Sequence, residues 1–125
     1  MRFAFNAVAL GVGALATAPA VGHSKLLSAD PAPNAAVAAP RRLQLAFSER
    51  LIAPFSGVDV TMTVMRGQKM SPPKKLSVKA SLTGDRKTLV VTMTKALSQG
   101  TYRVNWHAVS TDTHRVQGSF LFTVK

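Results

Sequence analysis

Apolar side chains in this chain recur at every second position, in short runs separated by proline, glycine and polar stretches. Leu43, Leu45 and Phe47 alternate with Gln44, Ala46 and Ser48, the pattern of a strand with one buried face. Val58, Val60, Met62 and Val64 alternate with Asp59, Thr61 and Thr63, with β-branched residues on both faces. Leu89, Val91 and Met93 repeat the spacing, and Leu76 to Leu82 carries it more weakly. Between Thr101 and Val109, Tyr102, Val104, Trp106 and Ala108 share one face and leave Arg103, Asn105 and His107 on the other. Phe120, Phe122 and Val124 make a last strand. Pro31, Pro33 and Pro40 exclude a helix over residues 26–40 and predict an edge strand followed by an extended loop. Gly67 and Pro72-Pro73 bound a predicted loop carrying Met65 and Met70, while Gly84-Asp85 and Ser98-Gln99-Gly100 mark turns. About seven short strands with no helical periodicity predict an all-β sandwich.

The first residues break this period. Met1-Arg2 is a minimal positive start, Phe3 to Ala18 is apolar except for Asn6 and Thr17, and Ala20-Val21-Gly22 places small residues at −3 and −1 of a signal peptidase site. A retained membrane anchor would need about 20 apolar residues, and this run is shorter. The expectation is a cleaved secretory signal peptide over residues 1–22, one domain over 23–125, and no stable membrane insertion after cleavage. A cut after Ala18 or Ala20 would instead leave extra residues ahead of His23.

Composition adds two constraints. There is no cysteine, so disulfides and thiolate metal sites are excluded. The formal net charge is +11, a field that attracts nucleic acid, anionic lipid head groups or an acidic protein. The cations are scattered (Arg41-Arg42, Lys74-Lys75, Arg86-Lys87), with no interleaved aromatic platform for bases. Nucleic acid is therefore not the predicted partner.

Candidate chemistry lies at the two ends of the predicted domain. Cleavage after Gly22 would make His23 the first residue, and its α-amine and imidazole Nδ1 could close a six-membered chelate ring on one metal ion. Asp112-Thr113-His114 offers a carboxylate and a second imidazole, which an extended backbone would turn to the same side. Three nitrogens and one oxygen suit a tetragonal Cu(II) ion. An Asp-x-His sequence can equally be a turn that bonds its own backbone. His107, facing away from Trp106, reads as a solvated or hydrogen-bonded side chain.

With these pieces placed, the chain resembles the CopC-like family of periplasmic copper-resistance and copper-carrier proteins. The resemblance rests on His23-x-x-Leu26, Ser28-x-Asp30-Pro31, Leu45-x-Phe47-Ser48-Glu49, Gly100-Thr101-Tyr102-x-Val104-x-Trp106, Val109-Ser110-x-Asp112-x-His114 and Gly118-Ser119-Phe120-x-Phe122. It implies a small cupredoxin-like or immunoglobulin-like Greek-key sandwich, with His23, Asp112 and His114 as Cu(II) ligands. Glu49 would stand beside the metal, as a neighbour of its ligands or a weak outer ligand. It implies a periplasmic, monomeric, non-enzymatic protein that sequesters copper or hands it to a CopD-like inner-membrane copper-uptake protein. Some members also hold Cu(I) in a methionine-rich loop. Here Met62, Met65 and Met70 are the thioethers available, Gln68 and Pro73 replace further methionines, and Met62 is equally explained as a core residue.

Two other functions compete. An amino-terminal histidine on an immunoglobulin-like sandwich also describes copper monooxygenases that cleave polysaccharides. Those need an open position for oxygen, which Asp112 would fill. The alternative is a basic interaction domain in which no metal matters.

Overall fold

The computed structural model describes residues 24–125; the predicted leader and His23 lie outside the described residues. The alternating runs form β1 (Leu26–Asp30), β2 (Ala36–Val37), β3 (Arg42–Phe47), β4 (Gly57–Met65), β5 (Gln68–Lys75), β6 (Val78–Leu82), β7 (Thr88–Met93), β8 (Gly100–Val109) and β9 (Arg115–Val124). One sheet has the order β1-β3-β7-β6 and the other β2-β9-β8-β4-β5. Every pairing is antiparallel except β2 with β9. The all-β sandwich is as expected, and the only helical turn among the described residues is the 3-10 segment Ala53–Phe55.

The core follows the alternation. Leu43, Leu45 and Phe47 of β3, Leu89 and Val91 of β7, Val60 and Met62 of β4, Tyr102 and Val104 of β8 and Phe122 of β9 are all buried. Each such side chain contributes about 1.5–3 kcal/mol on leaving water, so these strands cannot slip by one residue without turning the set outward. Tyr102 stacks on Phe122 at 5.4 Å, and its hydroxyl donates to the Ser98 carbonyl at 2.6 Å, pinning the turn before β8. Trp106 meets Phe47 edge-on at 5.2 Å. Its ring lies over Gly118, where a Cβ would stand only 2.6 Å from a ring carbon.

Two strands exceed the expected set. β2 is a two-residue parallel pairing with the end of β9. β5 occupies what the Gly67 and Pro72-Pro73 signals marked as a loop. Arg66 and Gly67, with φ of 49° and 83°, make a two-residue turn of the type that suits the strand twist, and β5 folds back on β4. The prolines are tolerated because β5 is the edge of its sheet.

Candidate metal centre

The connection between β8 and β9 is a built turn rather than an extended segment. Ser110 pairs with Leu51 in an isolated bridge, and the Ile52 N–H donates to the Val109 carbonyl at 2.8 Å. The Thr113 N–H returns to the Ser110 carbonyl at 2.8 Å, and Thr113 takes a φ of 70°. A β-branched residue is strained in that region, so the neighbouring contacts must hold it there.

Asp112 supplies those contacts. Its Oδ1 accepts the Ser110 hydroxyl at 2.5 Å and the His114 N–H at 3.0 Å, while its Oδ2 stands 3.0 Å from His114 Nδ1. The carboxylate thus closes a turn on its own backbone and orients the imidazole with its other oxygen. The Ser110 hydroxyl, then the His114 amide and ring, hold the Asp112 carboxyl down at about 2. The group is therefore ionised at any pH where an imidazole can be neutral. Ser110, itself buried, is the contributor that sequence reasoning did not single out. Its only signal was the Ser-x-Asp-x-His spacing.

The beginning of the described chain arrives at the same end of the sandwich. The Lys25 N–H donates to Ser48 Oγ and the Ser48 N–H to the Lys25 carbonyl, both at 2.9 Å. Three residues beyond Ser48, Leu51 bridges to Ser110, and half-buried Glu49 lies on the bend between them. Ser24, directly after His23, is buried with a hydroxyl that has no hydrogen-bond partner among the described residues. Asp112 and His114 are thus in contact, and Ser24 and Glu49 share their pole. His23 lies outside the described residues. Among those residues no three His, Asp or Glu side chains converge as a metal cluster would.

The remaining candidates sit elsewhere. His107 packs over Gly57, in a groove with Asp59, Asn105, Arg115 and Gln117; burial, then the Arg115 charge, lowers its pKa. Met62 is a core side chain at 3% exposure. It lines a cleft of about 290 Å³ that Met93 shares and that Met65 and Met70 do not line. Met65 is exposed at the hairpin tip and Met70 rests half-buried against the core.

The CopC domain matches residues 26–125. The chain is 46% identical to a copper resistance protein C of Xanthomonas campestris pv. juglandis, over 98% of this chain and 99% of that one. It is also 46% identical to a copper resistance protein C of Pseudomonas syringae pv. tomato, over 90% and 89%. Among solved structures, PcoC, a methionine-rich copper resistance protein from Escherichia coli, superposes with a TM-score of 0.75 at 44% identity, covering 82% of this chain and 99% of that one.

Proposed function

The chain belongs to the CopC family, and from that premise we propose that it is an exported, non-enzymatic copper-binding protein of copper resistance. Its Cu(II) would be held between His23 at a processed amino terminus and the Asp112–His114 turn. The observation that carries this reading is the 3.0 Å approach of Asp112 Oδ2 to His114 Nδ1, at the pole where the described residues begin. Two donors each about 2.0–2.1 Å from one metal ion, at a right angle, stand about 3 Å apart. That spacing suits a shared proton and a shared metal ion alike.

The chemistry of the donors is consistent. Cu(II) needs its ligands deprotonated. Asp112 already is, and an α-amine near 8 yields its proton to metal near neutrality. Nitrogen and carboxylate donors without thiolate favour Cu(II) over Cu(I). Glu49, on the bend between Ser48 and Leu51, would act on the ligands from outside. Of the three thioethers, Met65 and Met70 are the ones outside the core, and any Cu(I) would fall to them. A carboxylate in the fourth position leaves no open site for oxygen activation, which supports a carrier rather than a monooxygenase. The periplasm is the compartment an export signal implies, and a CopD-like membrane protein the recipient.

The test is a Cu(II) titration read by electron spin resonance on the processed protein. His114→Ala and a variant beginning Gly-His23 should each weaken binding by at least ten-fold and remove the nitrogen-rich tetragonal signal. Affinity unchanged in both would leave a basic interaction domain instead.

A further inference from the structure

The charge of this protein is unevenly placed along its long axis. At the pole of Asp112, the cations Lys25, Arg50, Arg86, Lys87 and Arg115 are offset by Glu49, Asp85 and Asp112. The opposite pole is formed by the start of β3, the end of β7, the β5–β6 connection and the β4–β5 hairpin. There Arg41, Arg42, Lys74, Lys75, Lys79 and Lys95 are all exposed, against exposed Asp30, which pairs with Gln44 near the start of β3. They surround two adjoining clefts that share Met93, Thr94, Lys95 and Ala96. Lys74 and Lys75 stand on one side, Arg41 and Arg42 on the other, and neither cleft is lined by a carboxylate. Lys75 also meets Asp59, nearer the middle of β4, at 3.6 Å; that ion pair is solvent-exposed on both sides and weak for that reason.

We propose that this basic pole docks on the anionic head groups of a phospholipid bilayer. Two observations favour a lipid surface over other polyanions. The hairpin tip at this pole carries Met65, 41% exposed, next to Arg66 and close to Lys69. An apolar tip ringed by cations is the arrangement that settles at head-group depth. Among the described residues no exposed aromatic ring stands at the pole for bases to stack on: Tyr102, which lines one cleft, is 1% exposed, and exposed Phe55 lies at the far end beside Val109. Nucleic acid is thereby disfavoured.

The ten residues of β8 run between the two poles and span roughly 30 Å. That exceeds the screening length of about 8 Å in physiological salt. A protein docked in this way presents Asp112 and His114 away from the bilayer, with a local field the lipid does not alter. Docking is therefore independent of whether Cu(II) is bound at Asp112 and His114.

The experiment is co-sedimentation with vesicles of phosphatidylglycerol in phosphatidylethanolamine, and with neutral phosphatidylcholine vesicles, at about 0.1 M salt. Binding is expected only to the first. Each cation near an anionic leaflet is worth about five-fold in affinity, so the triple variant Lys74→Gln, Lys75→Gln, Lys95→Gln should lose on the order of 100-fold. The triple variant Lys25→Gln, Arg86→Gln, Lys87→Gln, with the same change in net charge, should lose less than ten-fold. Met65→Ser should weaken binding by a few-fold without changing its salt dependence. Equal losses in the two triple variants would overturn the proposal, since net charge alone would then explain binding. So would tighter binding of duplex DNA or an acidic peptide than of vesicles, reduced by the first triple variant. Circular dichroism of each variant separates lost docking from lost fold, and repeating the assay with Cu(II) separates this proposal from the copper reading.

Discussion

At the scale of single residues, the pole bearing Asp112 is governed by a few short bonds. Asp112 is an acid whose folded pKa of about 2 lies below its ordinary 3.8, chiefly through the Ser110 hydroxyl. A depressed carboxylate contributes stability that is complete above its unfolded value and is lost as pH falls through the folded one. Urea unfolding should therefore show stability falling between pH 3.8 and about 2, and Asp112→Asn should flatten that part of the profile. Ser110→Ala should raise the Asp112 pKa, read by carboxyl NMR, and lower stability in urea unfolding through the lost charge-assisted bond. The Asp-x-His pair was legible in the sequence. Its geometry was not, because an extended segment and an Asx turn give the same spacing, and only Thr113 at φ 70° decides between them.

At the scale of elements, the period-two pattern located the strands that build the core, because burial enforces it. It missed β5, whose Gln68–Lys75 segment is almost wholly exposed and so carries no apolar alternation; that strand is specified by the turn ahead of it. Arg66 takes a φ of 49° there, a conformation asparagine or glycine adopts with less strain. Arg66→Asn should raise stability in thermal unfolding, by no more than the about 1–2 kcal/mol of left-handed strain it relieves. The β8–β9 ladder gives the opposite expectation. Gly118→Ala would place a methyl 2.6 Å from the Trp106 ring, and moving that ring disturbs its contact with Phe47. The cost should be about 1–3 kcal/mol, accompanied by a shift in tryptophan fluorescence.

At the scale of the whole molecule, a metal held, as we propose, between His23 and the Asp112–His114 turn would tie the two sheets together. Ligand bound only to the folded state adds about 2.7 kcal/mol at a hundred times its dissociation constant. For a domain of this size that is a rise of roughly 10–20 °C in Tm, reversed by a chelator and absent in His114→Ala. Such a link between ends is what a linear reading recovers least well. The strands, the turn residues and Asp112 with His114 are local signals, whereas the nearness of Lys25 to Ser48, and of Leu51 to Ser110, is made by the sandwich as a whole. The two sides of that clasp are also unequally anchored. β1 has a bonded neighbour on one side only, and it is held by four register pairs with β3 and by the two Lys25–Ser48 bonds. β8, which runs into the Ser110 turn, lies inside its sheet between β9 and β4. Amide exchange should accordingly be fast along Leu26–Asp30 and slow along β8: in the site we propose, one jaw would be hinged and the other fixed, and an acceptor would free copper by lifting a single edge without loosening the hydrophobic interior.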